Sequence, residues 1–318
     1  TVTDSSSVTK TGDTAETTLS TDTTRKKIDY TRYIFKGART AESSSFHETW
    51  GGRSVIGNTT TGNEITVTSG AHTDVYGGWT RGASSQTATA DKGNSTDNKV
   101  TVDGTATVNG VVYGGMTTVA GGKASHNEVT INGGTLNGIG DVYGGSAESG
   151  SSADNNKVYL NGIRTSGTVH GGSTGLGTAN GNEVHLNGAT VTGGVIGGAI
   201  DGTGNLLSVK GVNRAGKIAG FQKVTFDATG VAAGETMLNL NGSAGTTLDR
   251  GAIDATGSTV NGGITLLHNA NGITVNGLAA TDNILKSETD ATTEKNISVH
   301  KTGSNITDIR YEGWQFAG

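Results

Sequence analysis

The stretch NEVTINGGTLNGIGDVYGG, from Asn127 to Gly145, decides the fold because the chain repeats it. Related copies are NEITVTSGAHTDVYGG from Asn63, NKVTVDGTATVNGVVYGG from Asn98, NKVYLNGIRTSGTVHGG from Asn156 and NEVHLNGATVTGGVIGG from Asn182. A further asparagine, Asn205, follows the last copy, and the steps between the leading asparagines are 35, 29, 29, 26 and 23 residues. Tandem periods of this length are typical of solenoids.

Each copy begins with apolar residues at alternate positions, which predicts a strand with one buried face. The residues expected to point inward are Ile65, Val100, Val129, Val158 and Val184 and, two positions later, Val67, Val102, Ile131, Leu160 and Leu186. Runs such as NG and NGG then supply corners with positive φ. A second short strand and a third strand ending in VYGG complete a coil of three strands and three corners.

Coils of this kind bury their apolar face only by stacking, with each strand parallel to its equivalent in the next coil. The sequence therefore predicts an all-β fold, a single-stranded parallel β-helix (β-solenoid), and we expect it to be right-handed because the six-residue period of the left-handed form is missing. A β-propeller blade needs about 40 to 50 residues, which exceeds these steps.

The repeat pattern divides the chain into four segments. We expect a polar Thr/Ser-rich arm at 1–28, capping coils at 29–62, regular coils at 63–205 and less regular β-helix coils with an aromatic end at 206–318. The 318 residues include 54 glycines, and only 32% are hydrophobic, which fits a thin core.

Charge and composition exclude several classes of function. There are 23 Lys and Arg against 28 Asp and Glu, a net charge of −5, which argues against a nucleic-acid partner. No apolar run approaches the roughly 20 residues of a membrane-spanning helix. The chain has no cysteine, so disulfides and thiolate metal sites are excluded, and this composition suits an exported protein.

Two columns of polar residues should run along the stack. The position after each leading asparagine alternates in charge, and opposite charges should meet between coils; the residues are Glu64, Lys99, Glu128, Lys157 and Glu183. The leading asparagines should form a structural ladder, with side-chain amides bonded from coil to coil.

The repeat N-x-V-x-I-x-G-G-x-x-x-G-x-V-Y-G-G, over 63–205, resembles the β-helical passenger regions of bacterial autotransporter surface proteins. The stretch from Gly262 to Gly277 is similar to the irregular coils near the end of such regions. The resemblance implies export across an outer membrane, a long surface-exposed solenoid and, commonly, adhesion to a glycan or protein receptor. It therefore places the protein at the bacterial cell surface.

Parallel β-helices also include polysaccharide-cleaving enzymes, which need carboxylates converging on neighbouring coils. Asp74 and Asp141 lie two coils apart, and Asp103 stands alone at a corner where a turn role is expected. His72, His126 and His170 share no spacing that suggests a metal site or a triad. We therefore expect no enzymatic activity and no cofactor, with a polysaccharide-binding or polysaccharide-cleaving protein as the alternative.

Two features are candidate binding surfaces. The position before the glycine pair should form an outward aromatic stripe; its members are Tyr76, Tyr113, Tyr143 and His170. Such a stripe could bind sugars or an apolar protein patch, or its rings could simply stack and stiffen the coils. The longest variable segment, 79–97, offers Trp79, Arg81 and Lys92, although a solvated polar insertion fits it equally well.

The two ends of the chain suggest self-association. The polar arm at 1–28 could add a strand to a neighbouring copy, and the aromatic end could be the interface that it covers; its residues are Tyr311, Trp314 and Phe316. Head-to-tail contacts would then build an open-ended filament. Alternatively the arm folds back and caps its own first coils through Tyr30, Tyr33 and Phe35. The chain is thus expected to be an adhesin or a self-associating structural subunit.

Overall fold

The computed structural model describes residues 35–41, 45–54, 57–82, 87–88, 93–137, 140–148, 152–199, 202–257, 263–289 and 293–315. The fold is a β-solenoid of about 8 turns, which confirms the predicted fold class. The expected N-terminal arm at 1–28 lies outside the described residues. A single 3-10 turn, Arg250–Ala252, is the helical element in the described part of the chain.

Short strands follow one another along the whole described chain. They are β1 (Phe35–Ala41), β2 (Ser45–Ser54), β3 (Thr60–Val67), β4 (Ala71–Thr80), β5 (Ser95–Thr96), β6 (Lys99–Val102), β7 (Thr107–Val108), β8 (Val112–Thr117), β9 (Glu128–Ile131), β10 (Thr135–Leu136), β11 (Val142–Ala147), β12 (Lys157–Asn161), β13 (Arg164–Thr165), β14 (Val169–Thr174), β15 (Glu183–Asn187), β16 (Thr190–Ile196), β17 (Leu206–Lys210), β18 (Asn213–Ala219), β19 (Lys223–Asp227), β20 (Thr236–Leu240), β21 (Thr246–Asp249), β22 (Ile253–Thr256), β23 (Ile264–Asn269), β24 (Ile273–Asn276), β25 (Ile284–Thr289), β26 (Thr293–Thr302) and β27 (Asn305–Gln315).

The first strand of each coil builds one parallel sheet, in the order β1-β3-β6-β9-β12-β15-β17-β19-β22. Val100 is in register with Val129, and Val129 with Val158, so equivalent residues lie directly above one another. All the residues predicted to point inward are buried, because alternation directs every second side chain into the core.

The third strand of each coil builds the second sheet, through β4-β8-β11-β14-β16-β18-β20-β23. Its valines, Val75, Val112, Val142 and Val169, are fully buried, as predicted. The short second strands β7, β10 and β13 pair within this sheet, and β21 pairs with β24 separately. The inward residues of both sheets thus belong to one continuous hydrophobic core.

The leading asparagines form a continuous buried ladder, which confirms the structural prediction. Each Nδ2 donates to the Oδ1 of the next asparagine, at 2.8 Å from Asn63 to Asn98 and at 3.0 Å from Asn98 to Asn127. The same pattern continues through Asn156, Asn182 and Asn205. The ladder also explains the second glycine of each pair, since a Cβ on Gly115 would lie 2.5 Å from Cγ of Asn127.

The residue before each ladder asparagine adopts a left-handed backbone. Its φ is 57° at Asp97, 59° at His126 and 57° at Asn155, and the equivalent positions in other coils are Gly62, Gly181 and Gly204. This conformation turns the chain into the first strand and lets the asparagine point inward. It is favourable for glycine and strained for most other residues.

The predicted charge alternation lies in register on the outer face of the first sheet, from Glu64 to Glu183. Two ion pairs form between neighbouring coils, Lys99 with Glu128 at 3.0 Å and Lys157 with Glu183 at 3.1 Å. Both are partly exposed, so they favour the correct register more than they stabilise the fold.

The C-terminal region differs from the predicted β-helix coils. Within the second sheet, parallel pairing ends at β23, which pairs antiparallel with β27; β27 then pairs with β26, and β26 with β25. The chain reverses between β26 and β27 at Gly303, with a φ of 65°. The prediction of coils through residue 318 was therefore wrong for these last strands, which we call the C-terminal cap. The cap covers the end of the core with Ile297, Val299 and Ile309.

At the N-terminal end, β1 and β2 pair in parallel with β3 and β4. Residues 35–41 and 45–54 thus form one more coil, within the segment 29–62 where capping coils were expected. Tyr30 and Tyr33 lie outside the described residues, and Phe35 begins β1.

Candidate binding surfaces

The predicted aromatic stripe is present on the outer face of the second sheet. Ring centroids are 5.0 Å apart for Tyr76 and Tyr113, 5.0 Å for Tyr113 and Tyr143 and 4.5 Å for Tyr143 and His170. Interplanar angles of 6°, 13° and 3° make these face-to-face stacks. The in-register spacing of parallel strands dictates this arrangement, because a residue repeated at one coil position must meet its equivalent about 4.8 Å away.

The stripe starts one coil earlier than the sequence analysis placed it. Trp50 pairs with Tyr76 in register and packs against the apolar cluster that Tyr76, Trp79 and Met116 form. The signal was available, because Trp50 precedes the glycine pair Gly51 and Gly52 as the tyrosines precede theirs. This copy lacks the leading N-x-V-x-I motif, which is why a search on that motif misses it.

Stacking covers the ring faces that a sugar would need. Tyr76 is only 6% exposed, and burial raises the pKa of both Tyr76 and Tyr113. Burial also lowers the pKa of His170, so its imidazole is held neutral in the stack. The geometry favours the second alternative for this stripe, in which the rings stack on one another and stiffen the solenoid.

Trp79 lies in β4 and not in the variable segment where the sequence analysis placed it. The third strand continues beyond the glycine pair, so Trp79 is in register with Met116 and Thr80 with Thr117. The Arg53 guanidinium lies 4.3 Å from the centroid of the Trp79 ring, and the side chain is 8% exposed. The prediction of Trp79 as a loop anchor was therefore wrong, because its ring is covered by its own chain.

Of the two cationic residues predicted beside Trp79, the structure describes Arg81 and not Lys92. Arg81 is exposed directly after β4, and its backbone N–H donates to the carbonyl of Ser54 at 2.8 Å. Lys92 lies outside the described residues. The guanidinium of Arg81 is thus available at the edge where the variable segment begins.

The predicted assembly interface is not open at Tyr311. This side chain is 4% exposed within the core of the C-terminal cap, and its hydroxyl donates to the carbonyl of Gly257 at 3.3 Å. The prediction was wrong for Tyr311, because the antiparallel cap directs the ring inward. Trp314 belongs to β27 with its side chain outside the described part, and Phe316 also lies outside it.

The three aspartates considered for catalysis accept backbone hydrogen bonds at the corners of the coils. Asp74 Oδ1 accepts the Val111 N–H at 2.7 Å, and Asp141 Oδ1 accepts the Thr168 N–H at 2.6 Å. Asp103 Oδ1 accepts the N–H of the following Gly104 at 2.7 Å, the expected turn role. Within the described residues, no group of three His, Cys, Asp or Glu side chains could hold a metal ion.

The segments between each glycine pair and the next asparagine emerge along one edge of the stack, which we call the variable edge. They shorten from 21 positions, Gly77 to Asn98, to 8 positions, Gly197 to Asn205. Their backbones are still tied between coils, as in the bond from Ala124 N–H to the Ser152 carbonyl at 2.9 Å. Outward side chains here are exposed, and Leu176 is 92% exposed.

The fold and its side-chain columns define a parallel β-helix with a buried asparagine ladder and a stacked aromatic stripe. The chain matches no family model, no curated protein and no solved structure. In the part of the chain that the structure describes, no helix has the length and apolar character needed to cross a membrane.

Proposed function

We propose that the protein is a non-enzymatic bacterial surface solenoid that acts as an adhesin and presents its variable edge to a receptor outside the cell. The observation that carries this proposal is the large length variation of the segments along that edge, where Leu176 is 92% exposed. The core strands and the asparagine ladder keep one geometry from coil to coil.

A rigid body with one variable edge suits recognition. Binding residues are often placed on loops that a rigid scaffold holds in position. Leu176 and Arg81 supply exposed apolar and cationic groups on this edge, and Lys123 is exposed there as well. A glycan or protein surface that spans several coils could contact successive variable segments at once.

The placement of the acids supports a role without catalysis. Asp74 and Asp141 already accept backbone N–H groups of the neighbouring coil. A carboxylate oxygen that already accepts a backbone hydrogen bond at a corner is less available to transfer a proton to or from a substrate. Polysaccharide cleavage is therefore the less favoured alternative.

A self-associating filament is also less favoured by the geometry of one end. Open-ended stacking needs an unpaired sheet edge where the next copy can add. The C-terminal cap occupies the end of the second sheet, and its own edge strand β25 carries the charged residues Lys286 and Glu288. Charged edge strands oppose pairing with a second chain.

The proposal can be tested with protein-coated beads on cultured host cells and on bacterial cells. We expect coated beads to attach above the level of uncoated beads, and Leu176→Asp with Arg81→Ala to lower attachment. Val212→Asp is the matched control, because Val212 is 48% exposed at the corner between β17 and β18, away from the variable edge. Attachment equal to uncoated beads, or equal losses in both variants, would contradict the proposal.

A further inference from the structure

Three columns of outward side chains run along the outer face of the first sheet, because its strands lie in register from β3 to β15. The first column is the charge alternation from Glu64 to Glu183. The second column has three threonines and then two aromatic residues; its members are Thr66, Thr101, Thr130, Tyr159 and His185. The third column is polar and contains Asp103, Asn132, Asn161 and Asn187. None of these side chains is buried, so the face is open to a partner.

The second column changes in size between Thr130 and Tyr159. The Tyr159 ring stacks on His185 with centroids 4.5 Å apart and an interplanar angle of 17°. On its other side the neighbour in register is Thr130, whose short side chain does not cover a ring. The column therefore leaves one face of the Tyr159 ring uncovered, above a row of threonines.

A second copy of the chain matches this face when a twofold axis runs parallel to the strands. Such an axis reverses the order of the coils and keeps each column opposite itself. With the axis between β9 and β12, Tyr159 lies opposite Thr130 of the second copy, and His185 lies opposite Thr101 of the second copy. Each ring thus enters a space above a threonine. The uncovered face of Tyr159 then meets Tyr159 of the second copy, which makes a stack of four rings across the interface.

The same axis matches the charges of the first column. Glu128 lies opposite Lys157 of the second copy, and Lys99 lies opposite Glu183 of the second copy. Within one chain, Lys99 already pairs with Glu128 at 3.0 Å and Lys157 with Glu183 at 3.1 Å. Each lysine would therefore lie among carboxylates of both copies, and complementary charges of this kind fix the register of an interface.

The third column is complementary about this axis as well. Asn132 lies opposite Asn161 of the second copy, and each amide can both donate and accept. Within the chain, Asn161 Nδ2 donates to Asn132 Oδ1 at 2.7 Å, which uses one of its two hydrogens. Asp103 lies opposite Asn187 of the second copy, so a carboxylate faces an amide donor.

Other positions of the axis fit less well. An axis through a coil places every charge of the alternation opposite a like charge. An axis one coil nearer the C-terminus places Tyr159 opposite His185, so that ring meets ring, and an axis one coil nearer the N-terminus shortens the overlap. An axis along the solenoid places Tyr159 opposite Tyr159 and the charges opposite the third column. Charge, size and hydrogen bonding thus favour the same axis.

We propose that the outer face of the first sheet is the interface of a symmetric dimer, in which two copies of this chain pack in opposite directions about the axis between β9 and β12. The six strands from β3 to β17 span about 24 Å, and the three columns span about 13 Å. Two such faces bury roughly 1,000 Å² in total, the low end for specific interfaces, so we expect a Kd on the order of 10 to 100 µM. The dimer is closed, and it does not depend on the adhesive role of the variable edge.

The test is sedimentation velocity of the full chain at concentrations from about 1 µM to about 1 mM, a range that brackets this Kd. We expect a concentration-dependent change from a species of 32.0 kDa to one of twice that mass. Salt at about 1 M, where the Debye length is about 3 Å, should raise the Kd because it screens the facing charges.

Three variants locate the interface. Thr130→Tyr fills the space that the ring of the second copy needs, and we expect a Kd at least about tenfold higher, the equivalent of about 1.4 kcal/mol. Within its own chain the added ring extends the stack of Tyr159 and His185, so the thermal midpoint should not fall. Tyr159→Thr removes the ring and should also weaken the dimer. Thr192→Tyr is the matched control, because Thr192 is exposed on the outer face of the second sheet.

The double variant Thr130→Tyr with Tyr159→Thr exchanges the large and the small side chain. Its ring again lies opposite a threonine of the second copy, so we expect the Kd to return to within about threefold of the unsubstituted value. This recovery separates a true interface from general damage to the fold, and it remains informative should either single variant fold poorly.

Three results would overturn the proposal. The first is a monomer at every concentration. The second is a dimer whose Kd is the same in Thr130→Tyr, Tyr159→Thr and the control, which would place the contact on another face. The third is a monomer in which a soluble glycan shifts the Tyr159 ring resonances saturably, which would assign the face to a sugar and not to a second copy.

Discussion

The backbone N–H and the Nδ2 of Asn98 donate to the same atom, the Oδ1 of Asn127, each at 3.0 Å. Asn127 repeats both bonds toward Asn156, at 2.9 and 3.1 Å. One side-chain oxygen therefore satisfies a corner N–H and a neighbouring amide in every coil. Where the chain turns into the core, the ladder supplies the hydrogen bonds that water would make at an exposed corner. This role requires a side chain that both donates and accepts, as the asparagine amide does.

The ladder predicts a large effect for Asn127→Asp. The substitution removes the Nδ2 that donates to Asn156 Oδ1 and to the Ser95 carbonyl at 3.0 Å. It leaves a carboxylate oxygen facing two acceptors in a buried site, which we expect to cost about 3 kcal/mol or more of unfolding free energy. Urea unfolding followed by circular dichroism measures it.

The control for this change is Asn132→Asp, on the exposed outer corner of the same coil. Asn132 Oδ1 only accepts from Asn161 Nδ2, at 2.7 Å, and a carboxylate keeps that role. We expect a change within about 0.5 kcal/mol, as for most surface substitutions. Equal losses in the two variants would show that the buried ladder has no special energetic role.

The glycine pair predicts a steric effect at Gly115. A Cβ there would lie 2.5 Å from both Cγ and Nδ2 of Asn127, so Gly115→Ala must displace the ladder. We expect a loss of about 2 kcal/mol or more, in the range of overpacked cores. Gly251→Ala is the control, because its Cβ would meet nothing within 4 Å. A Gly115→Ala midpoint close to that of Gly251→Ala would contradict the close approach.

The left-handed corner predicts a stabilising substitution. His126 has a φ of 59° and is exposed, whereas glycine occupies the equivalent position in other coils. His126→Gly should relieve backbone strain and raise the unfolding free energy by a few tenths to about 1 kcal/mol, after the entropy cost of glycine. His126→Ala retains the Cβ and should give no such gain, so a gain in both variants would refute the strain argument. Denaturant midpoints compare the three proteins.

Much of the fold could be predicted from the sequence because a stacked coil repeats its physical constraints. Val129 is inward because its neighbours alternate in polarity, and Asn127 repeats because its amide bonds to the asparagine amides of the neighbouring coils. The charge alternation from Glu64 to Glu183 can be predicted from the sequence for the same reason. Each of these signals lies at a fixed offset within the repeat.

The remaining features depend on contacts that alternation does not reveal. Trp79 was misplaced because alternation breaks at Gly77 and Gly78, where the strand continues without side chains. Tyr311 was misassigned because a strand that alternates polar and apolar residues has the same sequence pattern whether it pairs in parallel or antiparallel. The left-handed corner was missed because its residues, such as His126 and Asn155, share a backbone conformation and not a side-chain type.

The aromatic stripe predicts a pH dependence that comes from one residue. His170 stacks on Tyr143 with centroids 4.5 Å apart. Burial lowers the pKa of His170, Lys217 lowers it further, and Asp141 partly opposes them. In the folded state His170 thus takes up a proton at a lower pH than in the unfolded chain, where histidines titrate at about pH 6.5. The stability from neutral His170 is complete above that value and is lost as the pH falls below it.

His170→Tyr isolates this contribution, because tyrosine extends the stack of Tyr76, Tyr113 and Tyr143 and does not titrate near neutral pH. We expect the unfolding free energy of the unsubstituted protein to fall between pH 7.5 and 5.5 by more than that of the variant. The other histidines are present in both proteins, so their effects cancel in the difference. Urea unfolding at steps of half a pH unit measures both curves. Parallel curves over this interval would show that His170 is not held neutral by the stack, and a steeper fall in the variant would reverse the sign of the argument.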